Sequence, residues 1–165
     1  LAIDISSLLQ KKRGEIEYNL ILDDVEIIAQ EERLDFINDI VFNFKMQLID
    51  EIITINGIIE AKIMLQCSRC VEKFPYDIKI DVFEEFTMNP ELKDEDIILI
   101  ENKKIDISKI ISDNVLINLP IAQVCMESCK GLCHECGVNL NKEKCNCYCD
   151  EIDDRLEVLQ KYFKN

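Results

Sequence analysis

Four glycines and three prolines in 165 residues leave no flexible linker or low-complexity tract, and no internal repeat is visible. A single histidine, no glycine-rich phosphate loop and no nucleophile paired with a base leave the common catalytic motifs without their parts, so no enzyme is expected. The longest apolar runs, such as Ile52 to Ile55 and Ile97 to Ile100, fall far short of the ~20 residues that cross a bilayer. No membrane association is expected. Asp4 stands close to the start and no basic n-region precedes an apolar stretch, so the cytoplasm is the default compartment. Basic charge is also scarce: 19 Lys+Arg face 33 Asp+Glu, a net charge of −14 with most of the excess in residues 1–119. Phosphate affinity comes mainly from neutralising Lys and Arg, so indiscriminate nucleic-acid binding is excluded and any RNA contact must be local.

Hydrophobic residues make up 48% of the chain and many of them alternate. Ile16, Tyr18, Leu20 and Leu22, then Val25 and Ile27, show the period of two of half-buried strands, with Asp23-Asp24 as a turn. Phe42, Phe44, Met46 and Leu48 repeat it, and it resumes after Asp50-Glu51 from Ile53 to Leu65, predicting a long hairpin. Asn56-Gly57 is a competing turn signal, resolved here as a bulge at Gly57. Ile78, Ile80 and Val82 predict a further strand extending through Phe86, and Ile97 to Ile100 another. Ile3, Ile5, Leu8 and Leu9 suit a short helical turn. Asp106 or Ser108 can cap a helix near 107–118 that Pro120 stops. Asp153 starts an expected last helix with Leu156, Leu159, Tyr162 and Phe163 on one face. The expected fold is α+β: an antiparallel-sheet-rich body with few helices over 1–119, and a small cysteine-rich zinc module with its C-terminal helix over 120–165, packed on it.

Nine cysteines, crowded and in close pairs, suit thiolate metal ligation in a reducing compartment better than disulfides. Cys133-x-x-Cys136-Gly137 has the form of a zinc knuckle, two thiolates reaching one tetrahedral ion across a turn whose Gly tolerates left-handed backbone. Cys145-x-Cys147 offers two more ligands, which makes Cys133, Cys136, Cys145 and Cys147 the first candidate set for a structural Zn2+. Cys125, Cys129 and Cys133, spaced by four, can line one helical turn; Cys129 is the leading substitute and Cys149 the spare. His134, inside the knuckle, is expected to face solvent. Cys67-Ser68-Arg69-Cys70 ends a predicted strand and has three readings: a second metal site or part of the first, a redox pair, or a hairpin end with two partly buried thiols. Arg69 is expected to project from that hairpin tip and meet a partner, or to pair with Glu72.

Three stretches together resemble the YceD family of large-subunit ribosomal RNA accumulation proteins. They are Cys67-Ser-Arg-Cys70 with Phe74 and Phe83-Glu-Glu-Phe86; then Leu119-Pro120 leading to Cys129-Lys-Gly-Leu-Cys133-x-x-Cys136-Gly137-x-Asn139-Leu140-Asn141 and Cys145-x-Cys147; then Asp154-Arg155-Leu156-x-x-Leu159. The resemblance implies a non-enzymatic factor for large ribosomal subunit assembly in a family suspected of metal and nucleic-acid binding. Its implied partner is large-subunit rRNA, met by Arg69, Lys73, Lys79, Lys130, Lys142 and Lys144, or a basic large-subunit ribosomal protein gripped by the acidic surface. The alternative is a thiol redox or metal-carrier protein using Cys67 and Cys70.

Overall fold

Strict alternation dictates most of the architecture, because successive side chains point to opposite faces and a one-residue slip in pairing would turn a strand's whole apolar set to solvent. A computed structural model describes residues 1–10, 14–23, 27–29 and 32–147, which separate into two compact units. The first comprises residues 1–65 and 74–121.

Its elements in chain order are β1 (Ala2–Asp4), α1 (Ser6–Leu9), β2 (Gly14–Leu22), β3 (Ile28–Ala29), β4 (Glu32–Arg33), β5 (Asp35–Phe36), β6 (Ile40–Ile49), β7 (Ile52–Gln66), β8 (Lys73–Thr87), β9 (Ile97–Leu99), β10 (Lys104–Asp106) and α2 (Ile107–Asn118). Among the described residues the order β2-β6-β7-β8-β9, with β5 also on β7, forms one six-stranded sheet, mainly antiparallel; β8 and β9 run parallel. Small sheets pair β1 with β10 and β3 with β4. The buried face carries Phe42, Phe44, Met46 and Leu48 from β6, Ile53, Ile55, Ile59 and Ile63 from β7, and Ile78, Ile80 and Val82 from β8. α1 contributes Leu8 and α2 contributes Ile107, Ile110, Ile111 and Val115 to the same core. Each such side chain stabilises the fold by roughly 1.5–3 kcal/mol. Asp106 caps α2, its Oδ1 accepting from the amides of Ser108 at 3.1 Å and Lys109 at 3.4 Å, and the helix stops at Leu119, before Pro120. Strand β10 and its pairing with β1 had no signal in the sequence beyond a short apolar residue count. The expected helix from Asp153 lies outside the described residues.

The β6–β7 hairpin turns at Asp50-Glu51, both with positive φ (48° and 68°), the backbone that a two-residue hairpin loop demands. The expected bulge at Gly57 is absent: Lys45↔Asn56, Phe44↔Gly57 and Asn43↔Ile58 keep one unbroken register. Gly57 answers a packing need instead. A Cβ there would run into Asn43 O and the Cβ of Phe44 directly opposite, and Phe44 in turn stacks on Tyr18 (ring centroids 5.0 Å apart) and Phe42 (4.4 Å). Gly57→Ala is therefore expected to destabilise the protein by about 1–3 kcal/mol in denaturant unfolding, as overpacking does. An ordinary strand glycine would respond with a gain of about 0.5–1 kcal/mol, so the sign of the change is the check.

Candidate metal centre

The second unit comprises Gln66–Lys73 and Ala122–Asn165. Its first segment is the connection between β7 and β8, which turns sharply: the Val71 amide donates to Cys67 O at 2.9 Å and the Cys67 amide to Glu72 O at 2.9 Å. Val71 takes φ of 62°, strained for a β-branched residue. The turn sets the two thiols of Cys67-x-x-Cys70 side by side, both buried.

The residues between those thiols fasten the turn to the second segment. The Ser68 amide and hydroxyl both donate to Gln123 O, at 2.7 and 2.9 Å. Arg69 Nη1 donates to Glu127 O and Cys129 O, each at 3.1 Å, while Arg69 O accepts from the Leu132 amide at 3.0 Å. The expected helical turn through Cys125, Cys129 and Cys133 does not form, because carbonyls that an α-helix would use internally are given to Arg69. Gly131, with φ of 75°, lies so close to Arg69 O that an added Cβ would sit 2.9 Å from it. Arg69 thus holds the loop through its guanidinium, and Glu72 is paired with Lys142 rather than with Arg69.

Two sets of four cysteine sulfurs result, each with all its Sγ atoms within 4.8 Å of one another: Cys67, Cys70, Cys125 and Cys129, and Cys133, Cys136, Cys145 and Cys147. Cys129, read from the sequence as the leading substitute in the C-terminal set, and Cys125, a further candidate there, stand with Cys67 and Cys70. Cys149 lies outside the described residues. His134 is exposed beside Glu135, with Nε2 3.6 Å from Oε1, and belongs to neither set. Of the basic residues considered for RNA, Lys79 pairs with Glu60 at 2.9 Å and Lys142 with Glu72.

The first set spans Sγ separations of 3.7 Å (Cys70 to Cys125) and 3.9 Å (Cys67 to Cys129). A disulfide needs about 2.05 Å, whereas a tetrahedral ion with sulfur at about 2.3 Å needs edges of about 3.8 Å. The donor set therefore fits a zinc-like ion. In the second set the knuckle is closed by the Gly137 amide donating to Cys133 O and by the Cys133 amide donating to Val138 O, both at 2.9 Å, with Gly137 at φ of 72°.

The same backbone tunes the thiols. Burial opposes the Cys67 thiolate, but amides of Cys125, Cys70 and Arg69 point at its sulfur and bring it down to about 6. The Cys136 and Glu135 amides do the same for Cys133, also to about 6. Burial together with the neighbouring Cys67 and Cys129 sulfurs pushes Cys125 up to about 12, and the Cys136 sulfur together with burial does so for Cys147. A metal must displace the protons that Cys125 and Cys147 hold at neutral pH, so affinity falls as pH falls. It falls more steeply below about 6, where Cys67 and Cys133 also gain protons. Zinc competition titrations should show a loss of about tenfold or more per pH unit, with protons released to the buffer on loading. Arg69→Ala, which orphans two carbonyls, should lower stability by about 1–3 kcal/mol, read as earlier protease cleavage within 122–132.

Sequence reasoning left open whether Cys67-x-x-Cys70 joined the C-terminal cysteines and did not single out Cys125 and Cys129 as its partners; it missed the parts played by Ser68 and Gly131. Glycine between closely spaced cysteines was the available signal for Gly131; nothing local marked the others. With the geometry in place, similarity to known proteins becomes informative. A chloroplastic large ribosomal RNA subunit accumulation protein, YCED homolog 1 of Arabidopsis thaliana, is 51% identical over 53 residues, 32% of this chain and 16% of that protein. An uncharacterised protein of Bacillus subtilis is 29% identical over 113 residues, covering 64% of this chain and 63% of its own. One from Mycobacterium tuberculosis is 26% identical over 122 residues, 71% and 58% respectively. The chain spans less than two thirds of the length of each of these relatives. No solved structure matches the chain. The family described as Large ribosomal RNA subunit accumulation protein YceD matches residues 55–162, which include every cysteine of both sets, and the chain belongs to that family.

Proposed function

We propose that the chain serves accumulation of the large ribosomal RNA subunit as a non-enzymatic binding factor, with its second unit held by two structural zinc ions. The carrying observation is that each cysteine set is complete at four. Four protein thiolates fill a tetrahedral ion, leaving no position at which a water could be activated, so the role of each ion is to hold a loop-rich segment in one shape. Cys67, Cys70, Cys125 and Cys129 would hold one, and Cys133, Cys136, Cys145 and Cys147 the other.

The redox or carrier reading of Cys67 and Cys70 has in its favour the lowered Cys67 thiol. Against it, Cys67 is 1% and Cys70 4% exposed, and each has a sulfur of the other segment close by, Cys129 at 3.9 Å from Cys67 and Cys125 at 3.7 Å from Cys70. A redox pair needs a thiolate that its substrate can reach. Net charge favours the protein partner: at −14, the chain attracts a basic large-subunit ribosomal protein and repels ribosomal RNA. Compartment follows the thiols, which favour a reducing cytoplasm. Among the described residues no helix is long and apolar enough to cross a membrane.

Metal analysis of reduced, native protein should find about two zinc ions per chain. Affinity capture from cells, followed by identification of bound protein and RNA, should recover a basic ribosomal protein whether or not ribonuclease is added. Recovery that disappears with ribonuclease would replace the protein partner with RNA, and a preparation that folds without zinc would remove the structural-metal reading.

A further inference from the structure

The two cysteine sets are adjacent in sequence at Cys129 and Cys133, and the stretches joining their ligands are paired. Leu132 and Asn139 form an antiparallel bridge, and the Leu140 amide donates to Gly131 O at 3.0 Å. Residues 130–132 lie between a ligand of the first set and a ligand of the second. Residues 139–141 lie within the second set's own loop, between Cys136 and Cys145.

Asn141 crosses from that loop to the other set. Its Oδ1 accepts from the Lys130 amide at 2.8 Å, and since a backbone N–H can meet only an oxygen there, the orientation of the carboxamide is settled. Nδ2 must then face the other way, and it donates to Cys129 Sγ at 3.3 Å and to Asn139 Oδ1 at 2.9 Å. Asn139 Oδ1 also accepts from the Asn141 amide at 3.0 Å, which fixes the side chain's approach. An N–H aimed at a thiolate offsets the excess negative charge of four sulfurs around a divalent ion, the kind of outer contact whose loss costs about 10–100-fold in metal affinity.

We infer that Asn141 is a positioning residue that couples the two metal sites: ordering the Cys136–Cys145 loop by metal at the second site presents the Asn141 donor to Cys129 of the first. Loading is therefore cooperative, and the first site holds its ion less tightly when the second is vacant. The coupling is reciprocal, as linkage requires. This inference rests on the two-zinc reading above.

The test is zinc competition against a chromophoric chelator on the reduced full chain, with four variants. Cys147→Ser disables the second site and should weaken the first by about tenfold. Asn141→Ala should weaken the first site by a similar factor with the second intact. Asn141→Asp is the same shape, keeps the Oδ1 acceptor for Lys130 and therefore the loop contact, but replaces the N–H donor by an anion facing the thiolate. It should weaken the first site more than Ala does, whereas a purely structural role for the Oδ1 contact would leave Asp near wild type and Ala the worse. Combining Asn141→Asp with Cys147→Ser should cost less than about twofold beyond Asn141→Asp alone, because the coupling is already cut. Two zinc ions in the wild type with a first site unmoved by Cys147→Ser, or an Asp variant that binds as the wild type does, would overturn the coupling alone. Fewer than two zinc ions in the wild type would overturn both the coupling and the metal reading it rests on.

Discussion

Convergence of Cys67 and Cys70 with Cys125 and Cys129 is the constraint on which the second unit depends. The sulfur pairs are separated by 62 and 55 residues in sequence, an excursion that includes β8, β9, β10 and α2. Bringing such distant points together costs loop-closure entropy that grows slowly with length. A cross-link at this spacing removes about 4 kcal/mol of that cost from the folding balance. Short of the metal, the cost is met by the Ser68 and Arg69 hydrogen bonds to the 122–132 segment. This is why a turn of eight residues carries so many of the unit's contacts.

The second constraint is electrostatic. Each sulfur set concentrates negative charge in a protein that already has an acidic excess, and the backbone answers with amides: those of Cys125, Cys70 and Arg69 at Cys67, those of Cys136 and Glu135 at Cys133. Glycines at 131 and 137 take the positive φ that such tight turns require. At 131 glycine is also needed for the approach to Arg69 O; at 137 no neighbour lies within 4 Å, and backbone conformation alone asks for it. The two glycines look alike in the sequence and serve different ends.

The sheet has its own dominant interaction, the Tyr18, Phe44 and Phe42 stack that runs across β2 and β6. Gly57 makes room for it on β7. Its presence explains why Asn56-Gly57, the stronger local turn signal, loses to Asp50-Glu51. A turn at 56–57 would break the register that pairs β6 with residues 52–60 of β7, and burial of the isoleucines in that pairing outweighs the modest cost of two residues at positive φ.

The sequence alone determined what depends on local spacing. Alternation marked β2, β6, β7 and β8; Asp106 and Pro120 bounded α2; four cysteines close in sequence defined the second sulfur set; and the long cysteine motif identified the family. These are features that one short stretch of chain specifies, because side-chain period, capping and turn closure act over a few residues. Tertiary structure decided the rest. It moved Cys125 and Cys129 to Cys67 and Cys70, committed Arg69 to two carbonyls, and brought Asn141 to Cys129. It also left Gly57 in register beneath Phe44. Each of these joins residues whose proximity no spacing rule encodes, since a thiol, a guanidinium or a carboxamide has the same local signature whichever distant group it meets.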